Sequence, residues 1–174
     1  MTAETARAPA PRSEPPPDAF ETFYAESVDR VYRALAVTLV DVALAREATD
    51  EAMTRAYLHW SKVSRLNNPG GWVFRVGLNW ATSWRRKLRR ERPLADDFPR
   101  PAAAHHDTAD AAVTEALTAL PVQQRAVVVC RVLLDLSTVD TATVLGLPEG
   151  TVRSRLSRAL AALRADLTRP EEDR

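Results

Sequence analysis

The sequence predicts an all-α protein built as two small helical domains joined by an extended linker, the second carrying a helix-turn-helix. Three observations predict it. Apolar residues recur at three- and four-residue steps along most of the chain, the spacing of one helix face. Only 5 of the 174 residues are glycine, and the long alanine-rich runs lack the punctuation that strands need. Between the periodic stretches lies "LADDFPRPAAAHHD", rich in proline and acid and without any period.

The elements follow in order. Residues 1–17, "MTAETARAPAPRSEPPP", read as a disordered, proline-rich tail with no apolar signal core. Order begins near Asp18, a candidate helix N-cap, and Phe20, Phe23, Tyr24, Val28, Val31, Tyr32, Leu35 and Leu39 mark the apolar stripe of an amphipathic first helix. A second helix is expected from Val42 to Val63, burying Ala48, Ala52, Met53, Ala56, Tyr57 and Trp60. "RLNNPGG" then supplies turn chemistry. A third helix starts near Gly71 and stops by Pro93, closing a first domain over 18–93. The linker spans 94–107. A second domain, 108–168, holds a short helix ending at Pro121, another through Val122–Leu133, a third over Thr138–Leu145 and a last from Glu149 to about Leu167, before a tail at 169–174.

Charge is segregated although the net value is +1. Acids gather at Asp41–Glu51 and Asp96–Asp110, bases at Arg75–Arg92 and Arg153–Arg164, and local patches decide which partners are attracted. The single cysteine, Cys130, forms no internal disulfide, in keeping with a reducing cytoplasm, and reads as a packed thiol. No apolar run approaches the roughly 20 residues that span a membrane. No nucleophile–base pair, phosphate loop or metal cluster is apparent, so neither enzymatic activity nor a cofactor is expected. His105, His106 and Asp107 are adjacent linker residues rather than a metal site.

The most specific text is "STVDTATVLGLPEGTVRSRLSRALAALR". Gly146 is the residue type that stops helices in a left-handed turn, Leu147 turns back to the core, and Pro148 suits a first helical position. Val152, Leu156, Leu160 and Leu163 make the buried stripe of the following helix. In such a motif the second helix enters the major groove. Arg153 and Arg155 have the fork geometry for guanine or phosphate, and Thr151, Ser154, Ser157 and Arg158 add further polar contacts.

The C-terminal stretch resembles the fourth domain of bacterial sigma factors of the extracytoplasmic-function type. The resemblance rests on Leu117–Pro121, Arg125, "LDLS" within Leu133–Ser137, Leu145–Gly146 and "GTVRSRLSRA" at 150–159. Two positions depart from the family pattern: Asp140–Thr141–Ala142 sets a polar residue where an apolar one is usual, and Pro148 replaces a serine that would cap the last helix. The likeness extends forward. "EATDEAMTRAYLHW" is similar to the family's second-domain helix that docks on the polymerase clamp, and "NPGGWVFRVGLNWATSWRRKLRR" to the helix that contacts the −10 promoter element.

That resemblance implies a sigma factor, which binds core RNA polymerase at the largest-subunit clamp and the flap, recognises −35 and −10 elements and promotes strand opening. It assigns the −35 contact to Thr151, Arg153, Ser154, Arg155, Ser157 and Arg158. It assigns the −10 contact to Arg65, Asn67 and Asn68 of the loop before the third helix, and to Arg75, Asn79, Ser83, Arg86 and Arg90 along it. Glu47, Asp50, Glu51 and Arg55 share one face of the clamp-docking helix. Ser83 stands where aspartate is frequent in the family. The family also implies an anti-sigma partner that masks the DNA-binding faces, and a linker whose Asp96, Asp97 and Asp107 mimic nucleic-acid charge; because the chain ends soon after the fourth domain, no appended C-terminal regulatory domain is expected.

Independently of the family, 100° per residue sets Trp72, Val73, Val76, Trp80 and Trp84 on one side of the third helix and Arg75, Asn79, Ser83, Arg86 and Arg90 on another. The tryptophans are thus expected to anchor the helix while the cations hold phosphate. The alternative function is a stand-alone helix-turn-helix regulator whose first domain senses or dimerises.

Overall fold

The computed structural model describes residues 19–91 and 108–168. The 1–17 tail, the Asp18 cap, the 94–107 linker and the 169–174 tail lie outside the described residues.

Eight helices make up the described chain: α1 (Ala19–Leu39), α2 (Val42–Leu58), α3 (Trp60–Val63), α4 (Pro69–Glu91), α5 (Thr108–Ala119), α6 (Val122–Val132), α7 (Thr138–Leu145) and α8 (Glu149–Leu167). α1, α2 and α4 pack on one another around Val31, Leu35, Leu39, Ala45, Ala48, Ala52, Val73 and Phe74. Small residues set how closely they approach. Gly77 is one such point, since a Cβ there would lie 2.7 Å from Leu35 Cδ1 and 3.0 Å from the Ala48 carbonyl. The α1–α2 corner is tight. Val40 takes φ 52°, a costly value for a β-branched residue. Asp41 then caps α2 by accepting from the Leu44 amide at 2.9 Å.

The second helix differs from its expectation. It breaks at His59 (φ −117°, ψ 21°), and Trp60–Val63 forms a separate turn of helix. No proline or glycine causes the break. It turns Trp60 back onto α1, where its ring lies 5.3 Å from Phe20 and 4.9 Å from Phe23. Tyr57, expected to be buried, is 62% exposed.

The helices of the second half match their expected limits closely. Gly146 adopts φ 65°, ψ 41°, and the Leu147 amide donates to the Ala142 carbonyl, which closes α7. Ser137 caps α7 by accepting from the Asp140 amide at 3.0 Å. Pro148 stands at the N-cap of α8 rather than at its first helical position, and no side chain caps that helix. Thr141, the polar departure in the motif, is fully buried, and its hydroxyl has no hydrogen-bond partner.

The two halves pack against each other. α1 lies on α6 and α4 touches α7. Val129, Cys130, Leu134, Leu136 and Val144 join the same apolar cluster as Val31, Leu35 and Phe74. Arg125 of α6 is buried among carbonyls from both sides. Its Nε donates to Thr38 at 2.9 Å, and its Nη1 donates to Leu117 at 3.1 Å, Thr118 at 2.9 Å and Leu120 at 2.6 Å. Burial, and after it the Arg85 cation, push the Arg125 pKa below its ordinary range.

Candidate nucleic-acid interface

α4 begins where "NNPGG" makes it begin. Pro69 takes the first helical position, where its missing N–H costs nothing. Asn68 precedes it and accepts the Gly71 amide on Oδ1 at 2.6 Å, an N-cap contact. One of the two groups through which Asn68 was expected to read a base is therefore committed to the helix end. Arg65 and Asn67, in the same loop, are exposed.

Along α4 the buried face is Val73, Phe74, Gly77 and Ala81. Opposite it, Arg75, Asn79, Ser83, Arg86 and Arg90 are all exposed, so this stripe is a continuous polar and cationic surface. Arg85 is set apart from that stripe: it donates to the Leu39 carbonyl at 3.0 Å and pairs with Asp41 at 3.2 Å, which fastens α4 to the α1–α2 corner. The tryptophans do not form the buried face. Trp72 and Trp80 are half-buried at its edge, and Trp84 is 45% exposed, its ring stacked on Trp80 at 5.9 Å and 7°. The sequence placed them on the core side because the helical wheel does so; at Trp84 the side chain is nonetheless left largely open to solvent.

The second basic surface is α8. Val152 and Ala159 are buried beneath it. Arg153, Ser157 and Arg158 are exposed, while Thr151, Ser154 and Arg155 are half-buried at the margin. Arg153 pairs with Glu149 one turn back at 2.8 Å with both side chains open to water, a contact of small net worth that a phosphate or guanine displaces readily. Ser154 donates to the Thr151 carbonyl at 3.1 Å.

The acidic set lies on α2, away from α8. Glu47, Asp50 and Arg55 are exposed and Glu51 is half-buried, with Arg55 bonded to Glu51 at 2.7 Å. Asp50 edges a shallow hollow lined by Phe20, Tyr24, Met53, Thr54 and Tyr57. Sequence reasoning counted Tyr57 as core and so missed it as surface. Its signal is a ring beside an acidic helix face.

One relation joins the α4 and α8 units. Arg75 Nη1 donates to the Thr143 carbonyl at 3.2 Å, and a Cβ on Gly146 would lie 3.1 Å from Arg75 Nη2. The first cation of the α4 stripe thus sits against the turn of the helix-turn-helix. Among the described residues no group of three His, Cys, Asp or Glu side chains could hold a metal ion. Among the same residues, no helix is long and apolar enough to cross a membrane.

Comparison with known proteins matches this geometry to a family. Residues 110–163 match the family model described as Sigma-70, region 4. The chain is 30% identical over 157 residues to the RNA polymerase sigma-E factor of Streptomyces coelicolor, covering 88% of this chain and 89% of that one. It is 33% identical over 135 residues to the ECF RNA polymerase sigma factor SigL of Mycobacterium tuberculosis, covering 73% and 76%. Among solved structures, the fold is similar to the sigma factor RpoE in its co-crystal with the anti-sigma factor NepR from Bartonella quintana, with a TM-score of 0.78 at 22% identity over 86% of this chain and 97% of that one. It is also similar to CnrH in complex with the cytosolic domain of CnrY, with a TM-score of 0.61 at 24% identity.

Proposed function

The chain belongs to the extracytoplasmic-function (ECF) RNA polymerase sigma factors, and on that premise we propose how its residues divide the work. A sigma factor is a transcription-initiation subunit, and the likeness to relatives runs through both halves, which sets aside the stand-alone regulator. The observation that carries the division of labour is the pair of exposed basic faces, one on α4 and one on α8, each backed by its own buried stripe.

In this reading residues 18–93 form the domain that binds core polymerase and the −10 element, and residues 108–168 form the domain that binds the −35 element. α8 enters the major groove, with Arg153 and Arg155 reading guanine edges or phosphate and Thr151, Ser154, Ser157 and Arg158 fixing the register. Arg75, Asn79, Ser83, Arg86 and Arg90 lie along the −10 DNA, where the cations supply affinity by releasing counterions. Arg65, Asn67 and the free amide of Asn68 receive a base extruded from the stack, a step that costs a few kcal/mol. Glu47, Asp50, Glu51 and Arg55 meet the clamp of the largest subunit, and the flap meets the second domain. The protein works in the cytoplasm as a non-catalytic subunit without a cofactor, and an anti-sigma factor holds it inactive by masking the DNA faces.

The test is capture of purified bacterial core RNA polymerase by the chain, followed by transcription from a genomic fragment library. The expected result is stoichiometric capture and discrete new start sites. Arg153→Ala lowers transcription about 10-fold, the worth of one bidentate contact, and Asn79→Ala impairs strand opening; both still capture polymerase. Loss of capture by either variant refutes this allocation of faces.

A further inference from the structure

Arg85 sits inside the arginine run of α4, and the fold withdraws it from that run. Its Nη2 donates to the Leu39 carbonyl at 3.0 Å and pairs with Asp41 Oδ2 at 3.2 Å. Both acceptors belong to the α1–α2 corner. Leu39 is the last residue of α1, so its carbonyl has no partner within that helix. Asp41 divides its carboxylate: Oδ1 accepts the Leu44 amide at 2.9 Å and Oδ2 faces Arg85. Val40 between them, at φ 52°, turns the chain so that both groups meet one nitrogen.

The place of this clasp along α4 gives it consequence. The buried residues of α4 are Gly71, Val73, Phe74, Gly77 and Ala81; among the described side chains, none after Ala81 is buried. The C-terminal half of the helix therefore runs beyond the core, and it carries Ser83, Arg86 and Arg90 of the polar stripe. From Ala81 to Arg90 is about 14 Å of helix, so a tilt of about 10° at Ala81 moves Arg90 by about 2 Å. A binding constellation needs placement to about 0.5 Å. The clasp adds little to stability, since its two side chains are 34% and 33% exposed. Its effect is on direction.

Resting on the promoter reading above, we propose that Arg85 is a positioning residue for the −10 contact. It holds no phosphate itself; through Leu39 and Asp41 it aims Ser83, Arg86 and Arg90 along the DNA. The two acceptors explain why this guanidinium stays behind when DNA arrives. Asp41 is an anion and already makes a charge-assisted bond of the kind a phosphate offers, so transfer to phosphate gains Arg85 little. Departure would also leave the Leu39 carbonyl without this donor.

The test compares Arg85→Ala and Asp41→Asn in complex with core polymerase. Strand opening is followed on a promoter fragment recovered from the library, with a fluorescent base in its −10 element. Asparagine caps a helix as well as aspartate does, so Asp41→Asn keeps the Leu44 bond. It turns an amide donor toward Arg85, which breaks the clasp, and it makes the chain one charge more positive. Simple attraction to DNA would then strengthen binding; loss of positioning weakens opening instead. Both variants are expected to capture polymerase, to melt near the wild-type temperature and to open the promoter about 10-fold less, the worth of one charge-assisted contact. The double variant should lose no more than either single one, because both act through one bond. Opening by Asp41→Asn at or above the wild-type level, with Arg85→Ala impaired, would make Arg85 a phosphate contact and overturn the proposal. Additive losses, or none, overturn it too, as does a loss of opening matched by a fall in melting temperature. Failure of the promoter reading itself registers separately, as normal opening by Asn79→Ala.

Discussion

The Arg125 guanidinium donates to the Thr38 carbonyl at 2.9 Å across the boundary between the two halves, and it turns a second nitrogen to three carbonyls at the end of α5. One side chain thereby satisfies the C-terminal carbonyls of two helices, groups that have no partner within their own helix.

Arg125→Ala leaves the buried Thr38 and Leu120 carbonyls without this donor, and is expected to cost about 3 kcal/mol or more in urea denaturation. Arg125→Lys recovers only part of that, because an ammonium lacks the planar fork that reaches both sides. Equal stability of wild type and Arg125→Ala would show that the network contributes nothing.

Thr141 carries a hydroxyl with no partner in a fully buried site. Valine has nearly the same shape without the polar group. Thr141→Val is therefore expected to raise stability by about 1 kcal/mol, read as an upward shift in the melting temperature. A fall in that temperature would mean the hydroxyl is satisfied in solution.

Asn68 separates folding from recognition. Asn68→Ala loses the α4 cap and costs about 1 kcal/mol. Asn68→Asp keeps an acceptor for the Gly71 amide and suits the positive helix end, so its stability stays near wild type. It also loses the amide donor and adds a negative charge beside DNA. Strand opening, followed with a fluorescent base in the −10 element, should drop in both variants; normal opening by the stable aspartate variant would remove Asn68 from the base-reading set.

Burial pushes the Cys130 thiol from 9.0 up to about 12. Its pKa in the folded chain is thus above that in the unfolded chain. The stabilising contribution is full below about pH 9 and is lost as pH rises from there toward 12, at up to about 1.4 kcal/mol per pH unit. Cys130→Ala, which cannot ionise, should show a shallower alkaline loss of stability than wild type. At neutral pH the native thiol should resist alkylation and react only after unfolding. Rapid labelling of the folded chain contradicts its burial.

Much of the fold is legible from local chemistry. Gly146 and the apolar spacing of α6 to α8 announce the helix-turn-helix, because a left-handed turn and a 3.6-residue period are properties of short segments. The exposed faces of α4 and α8 are legible for the same reason. The break at His59 is not, since nothing in "YLHWSK" stops a helix; it follows from the packing of Trp60 on Phe20 and Phe23. Trp84 deceives because a helical wheel gives direction around the helix and says nothing of whether a neighbour stands there.

The sequence by itself determined an all-α chain with two basic helix faces and a helix-turn-helix, because period, caps and charge are written along consecutive residues. Only the tertiary structure decided that Arg125 binds Thr38, that Arg85 belongs to Asp41, and that Arg75 rests on the turn at Thr143 and Gly146. Those partners are separated by 87, 44 and 68 positions. A guanidinium has the same sequence signature whether it meets a phosphate, a carboxylate or a carbonyl; which acceptor it finds depends on what the folded chain brings within about 3 Å of it.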